Sequence, residues 1–98
     1  GAGLRIAAGI SVGAAYVSTP PPGNGMLVQG NTGIGISSPD TILDINGALT
    51  VRGMSSTPSD PDNGSCVLWM ESATGDIKMK ITSGAVTKTV TLVDFSAV

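Results

Sequence analysis

The stretch that most constrains this chain is residues 30–53, Gly-Asn-Thr-Gly-Ile-Gly-Ile-Ser-Ser-Pro-Asp-Thr-Ile-Leu-Asp-Ile-Asn-Gly-Ala-Leu-Thr-Val-Arg-Gly. Its apolar residues come in pairs two apart: Ile34 and Ile36, Leu43 and Ile45, Leu49 and Val51. Period two between turn residues predicts three very short strands, with Asn46-Gly47 as a hairpin turn. Ser37-Ser38-Pro39-Asp40 predicts a further turn, Pro39 fixing its own φ. Each strand has only two side chains to bury, too few to hold a fold alone. A chain built this way has to bury its apolar residues against copies of itself.

Composition points the same way. In 98 residues only 12% are charged, and Tyr16, Trp69 and Phe95 are the only aromatics. That length makes one domain, or one segment of a longer fibrous object. A monomer of this size buries only about 60–65% of its unfolded surface, yet the mean hydropathy is +0.30. The apolar surplus predicts an obligate homo-oligomer whose would-be surface is covered by partners. A net charge of −2 without a basic run excludes nucleic-acid binding. The single cysteine, Cys66, excludes an intrachain disulfide framework; it reads as a small buried hydrophobe, with a reactive or intermolecular thiol as the other reading.

Residues 1–17 alternate throughout. Leu4, Ile6, Ala8, Ile10, Val12, Ala14 and Tyr16 share one parity; the other is mostly Gly, Ser and Ala. This predicts one long strand or two, with a small-residue face that another backbone can approach closely. Gly9-Ile10-Ser11-Val12-Gly13 has the spacing of a serine-hydrolase nucleophile elbow, but the chain contains no histidine to act as the base of Ser11. The same residues match a helix-pairing G-x-x-x-G, but Ser18 and Pro20 break the apolar run short of a membrane span. A secretory-signal remnant, with Arg5 ahead of the apolar run, remains an alternative. Thr19-Pro20-Pro21-Pro22-Gly23 predicts a rigid polyproline elbow, and Met26-Leu27-Val28 a short strand. Gly30, Gly33 and Gly35 lack the helix pattern and Lys-Ser/Thr that a phosphate loop requires.

Residues 55–64 form a polar, proline-rich loop. Asp60, Asp62 and Asn63 offer oxygens to a cation, but without the spacing or terminal Glu of an EF-hand they read as solvated loop groups. Asn63-Gly64-Ser65 is a glycosylation sequon, relevant only on a eukaryotic secretory route. Beyond it, residues 66–70, 76–82 and 86–95 predict a three-stranded antiparallel meander. Ser72-Ala73-Thr74-Gly75 and Ser83-Gly84 supply its turns, Ile77, Met79 and Ile81 point inward, and Lys78 and Lys80 point outward as guards against edge pairing. No helical periodicity occurs.

Asn31-Thr32-Gly33-Ile34-Gly35-Ile36-Ser37-Ser38-Pro39 followed by Leu43-Asp44-Ile45-Asn46-Gly47 resembles the GIG-x-x-x-P…LD-(V/I)-NG segment of bacteriophage tail fibres and related trimeric virion appendages. Val67-Leu68-Trp69-Met70, residues 75–81 and residues 87–95 are more loosely similar to closing segments of phage structural proteins. The resemblance spans residues 30–95. It implies a homotrimer of interwoven β-strands on a virion and no active site. Nothing in this sequence resembles the Ser-Lys self-cleavage centre of the chaperone domain that often follows the segment, so the expectation is a mature or excised piece, or a branch that trimerises unaided.

The expected fold is therefore all-β: a homotrimeric interwoven β fibre or prism segment followed by a small antiparallel β meander head. Its parts are an N-terminal extended region and Pro-rich elbow (1–29), a short-strand trimer-wrapping segment (30–54), a polar loop (55–65) and the meander (66–98). The expected function is a structural virion protein of a bacteriophage (tail fibre, head fibre or capsid decoration) on the particle surface. Its partners would be two further copies, other virion proteins and a host receptor, with no nucleic acid and no membrane insertion. The alternative is a monomeric β-sandwich that binds carbohydrate or protein, with Tyr16 and Trp69 as stacking surfaces, although Trp69 lies in an apolar strand and reads first as core. With no histidine and scattered carboxylates, no enzyme is expected, and no catalytic, cofactor-binding or metal residue is assigned.

Overall fold

The computed structural model describes residues 3–98, so the first two residues of the expected N-terminal strand lie outside the described residues. The described chain is all-β. Its helical content is two single 3₁₀ turns, Ala14–Tyr16 and Phe95–Ala97. Two compact units divide between Leu49 and Thr50.

The first unit holds two parallel strand pairs, β1 (Ile10–Val12) with β2 (Met26–Val28), and β3 (Thr32–Ile34) with β4 (Leu43–Ile45). The long strand expected over 1–17 is thus cut to its middle. After Val12 the chain turns at Gly13 (φ +122°) into the first 3₁₀ turn, and the proline elbow brings it back. Gly9 is where the prolines arrive: a Cβ there would sit 2.9 Å from Pro21 Cγ and from the Pro22 carbonyl oxygen. The small-residue face does admit a second backbone, in this case the chain's own. The Ile10 amide then donates to Gly25, and the Gln29 amide to Val12.

Asn46-Gly47 does not make a hairpin, and no strand forms over Leu49 and Val51. The polar side chains around β3 and β4 favour a different closure, in which residues 35–42 return the chain to run parallel, with Ile34 opposite Ile45. That connection is shorter than the dozen or so residues a parallel crossover usually takes. Ile36 falls just outside β3.

The second unit is one four-stranded sheet in the order β5-β6-β7-β8, formed by Gly53–Met54, Ser65–Glu71, Ile77–Ser83 and Val86–Val93. The expected meander is present as β6–β8, antiparallel throughout, and β5 adds a short parallel edge. Gly75 takes the left-handed conformation at the first turn (φ +79°), and Gly84-Ala85 closes the second in two residues. One residue, Leu92, is extra between the pairs Lys78–Thr91 and Ile77–Val93, which makes a bulge.

The expected sidedness of the meander is reversed. Lys78 and Lys80 are largely covered, their side chains 21% and 14% exposed, whereas Ile77 and Ile81 lie open to solvent. The lysines share their face with Trp69, directly opposite Lys78, and it is this face that the chain's own polar loop covers. Neither lysine guards an edge, because β7 is paired on both sides; the charge on edge strand β8 is Lys88.

Ala85 carries the turn at φ +64° with a side chain that disfavours it. Replacing Ala85 by Gly is expected to stabilise the second unit by about 0.5–1 kcal/mol, read as a higher urea midpoint at unchanged slope and fixed protein concentration.

Candidate interaction surface

Residues 31–46 form one parallel arch in which several polar groups pair with neighbouring backbone. The Thr32 amide donates to the Ile42 carbonyl (2.7 Å) and the Asn46 amide to Ile34 (2.9 Å). The Asn46 side-chain amide donates to the Gly35 carbonyl (3.2 Å), and that of Asn31 to Pro39 (3.3 Å). The Asp44 carboxylate accepts from the Asp40 amide at 2.9 Å, closing the turn after Pro39. Gly33 has no room for a side chain, since a Cβ would lie 2.5 Å from the Ile36 carbonyl oxygen. The Asn, Asp, Pro and Gly positions therefore serve to satisfy and bend backbone.

The other candidate positions are also accounted for. Ser11 lies on strand β1, and its hydroxyl donates to the Thr19 carbonyl oxygen (3.0 Å), tying the proline elbow down. Gly33 of the glycine-rich run is part of β3. Asp60 accepts from the Lys80 ammonium at 2.9 Å, so a lysine occupies the place considered for a cation there. Asp62 caps the entry to β6 through its carbonyl, which accepts from the Ser65 amide and hydroxyl. Among the described residues no cluster of His, Cys, Asp or Glu could hold a metal, and no helix is long and apolar enough to cross a membrane.

Among the described residues Trp69 is the one buried hydrophobic residue, 2% exposed, and its indole face is closed to a ligand. Its Nε1–H finds no acceptor, which costs about 1–3 kcal/mol. Thr82, also buried, shares a 2.6 Å hydroxyl–hydroxyl bond with Thr87. Tyr16 is half-buried in the first 3₁₀ turn.

Three tethers hold the 55–64 loop against the Trp69 face. The Lys80 ammonium donates to the Pro58 carbonyl (2.8 Å) and to Asp60, and the Asn63 side-chain oxygen accepts from the Ala85 amide (3.1 Å). Sequence reasoning missed these tethers. The available signal was a proline-stiffened acidic loop ahead of a strand with two lysines of one parity.

What remains is the opposite face of the same sheet. Alternation puts Cys66, Leu68 and Met70 of β6, Ile77, Met79 and Ile81 of β7, and Val86, Lys88 and Val90 of β8 on it. Cys66 is exposed there rather than buried. Two shallow grooves run across the face, one along Cys66, Met79 and Ile81, the other along Ile81, Val86, Lys88 and Val90. Beyond the sheet, Met26, Ile34, Ile42 and Leu43 of the strand pairs are also more than half exposed.

The chain presents 7373 Å² to solvent. A compact monomer of its mass would present roughly 5,100 Å², and two separate globules of half that mass about 6,200 Å².

The Lys78 ammonium donates to Glu71 at 2.8 Å and holds that carboxyl below its ordinary value, while the same bond raises Lys78. The Ser96 hydroxyl likewise holds Asp94 low. Depressed carboxyls stabilise the fold above the unfolded carboxylate pKa of about 4.3 and cease to do so as pH falls through their folded values. The raised lysine contributes below about 10.4 and is lost as pH climbs past its folded value. Stability is therefore expected to fall on acidification below about pH 4.3, and Glu71→Gln to flatten that limb in pH-dependent urea melts. Trp69→Ala is expected to cost about 3–5 kcal/mol, while acrylamide quenches native Trp69 fluorescence only weakly.

No protein-family model, no curated protein and no solved structure matches this chain.

Proposed function

We propose that this chain is a structural subunit of a bacteriophage particle (tail fibre, head fibre or capsid decoration) that works as a homotrimer, attaching to other virion proteins or to the host surface. The observation that carries this reading is the near-absence of a private core. Trp69 alone is buried among the large apolar side chains, in a chain otherwise rich in Ile, Val, Leu and Met. A soluble monomer with so little covered apolar surface has no adequate driving force for folding. The second support is the arch over residues 31–46. It is hydrogen-bonded within itself, but three-residue parallel pairs have no independent stability, and parallel strands are ordinarily buried on both faces. Interwoven copies supply that cover. The motif resemblance assigns the assembly to a virion appendage.

Sedimentation at micromolar concentration tests the assembly. Three 9.7 kDa chains give a particle of about 29 kDa, and a folded 9.7 kDa monomer would refute it. Antibodies against the chain are expected to decorate the appendages or capsid surface of phage particles in electron micrographs; unlabelled particles of a phage encoding it would remove the virion assignment. Ile34→Asp or Ile45→Asp is expected to abolish assembly and folding together, seen as loss of the β signal in circular dichroism. A folded monomeric Ile34→Asp or Ile45→Asp chain would separate the arch from the trimer contact.

A further inference from the structure

We infer that the apolar face of the β6–β8 sheet is where copies of this chain meet, each copy turning Cys66, Leu68, Met79, Ile81 and Val90 toward the same face of the others. This rests on the homotrimeric reading and adds which surface makes the contact. The sheet has one face to spare: the Trp69 face is closed in cis by the loop that Lys80 and Asn63 tether, and the other has nothing of its own sheet over it. A sheet with an apolar face requires a second layer.

The occupant is another copy for three reasons. First, Leu68, Ile77, Ile81, Val86 and Val90 of this face are all exposed, and a like apolar patch on a second copy covers and is covered by it in one contact. Second, the only charge on the face is Lys88, on edge strand β8. It makes no ion pair among the described residues, so like faces can meet with this charge at the rim and none at the centre. An unlike partner selected by charge would find one cation and no pattern to read. Third, the parallel pairs of the first unit, taken by themselves, also leave Met26, Ile34 and Leu43 uncovered, so each copy brings open apolar surface of its own to an assembly.

Cys66 provides the direct test, because it is exposed in the single chain and lies on the proposed contact face. In the unmodified protein at micromolar concentration, alkylation by a maleimide is expected to be roughly 100-fold slower than in urea-unfolded chain. It should accelerate on dilution, as the contact comes apart. Full-rate alkylation in a sample that sediments as a trimer overturns the face assignment and leaves the trimer standing; a folded monomer overturns both. Leu68→Asp is expected to sediment as single chains, whereas Thr89→Asp, on the opposite face, assembles as the unmodified protein does. An assembled Leu68→Asp also overturns the proposal, and if that variant fails to fold, the Cys66 rate in the unmodified protein decides.

Discussion

The Lys80 ammonium sits 2.8 Å from the Pro58 carbonyl and 2.9 Å from the Asp60 carboxylate, and this tether determines which way the sheet faces. Lys80 shares its face with Val67, directly opposite, and with Trp69 two residues further along β6. Anchoring the 55–64 loop to that ammonium holds a proline-stiffened segment against the face that Lys80 shares with Trp69, and makes the polar face the covered one. Two long aliphatic stems, those of Lys78 and Lys80, then serve as packing material beneath charged heads that are still paired. The exposed ion pair itself contributes little. Its consequence is geometric, since every apolar residue of opposite parity is committed to the uncovered side.

The same division recurs in the first unit. Around β3 and β4 nearly every polar group with a structural role is satisfied inside the arch, by Asn31, Asp44 and Asn46 acting on neighbouring backbone. The apolar side chains of that arch are left outside: Ile34, Ile42 and Leu43 all project into solvent. Polar satisfaction is local and private, while hydrophobic burial is deferred. This division supports the proposed assembly over a freely diffusing binding module, because exposed apolar side chains on a locally satisfied backbone favour contact with other chains.

Element type was legible from periodicity, and sidedness was not. Strict alternation over residues 76–82 identified β7, because period two is a property of the backbone and needs no knowledge of what lies above it. Which parity faces inward depends on a loop some twenty positions away in sequence, and the usual equation of apolar with inward fails where the chain's own loop covers the polar face instead. Asn46-Gly47 misled for a related reason. Local propensity favours a hairpin, but the Asn46 side chain gains more by donating to Gly35 across the arch. Within the long 1–17 alternation, the small residues correctly signalled a close approach at Gly9, and the elbow that makes the approach is also what ends the strand. The open face could be listed from sequence residue by residue, but that it is open could not.

The order of folding events follows from this layout. β6–β7 and β7–β8 are joined by tight turns, so the sheet can close from local contacts before any copy is met. It then presents an apolar face and, along β8, an unpaired edge of Val and Thr, the profile of an aggregation-prone strand. Two features of that edge restrain misassembly. Lys88 places one charge amid the valines, and the Leu92 bulge breaks the ladder near its end, so that a foreign strand cannot extend the pairing along the full length. Both restraints are weak. A second lysine on the face would guard the single chain better, at the expense of the contact proposed between copies. A face with only one charge is what such a contact would require, since each added charge would have to be desolvated on assembly.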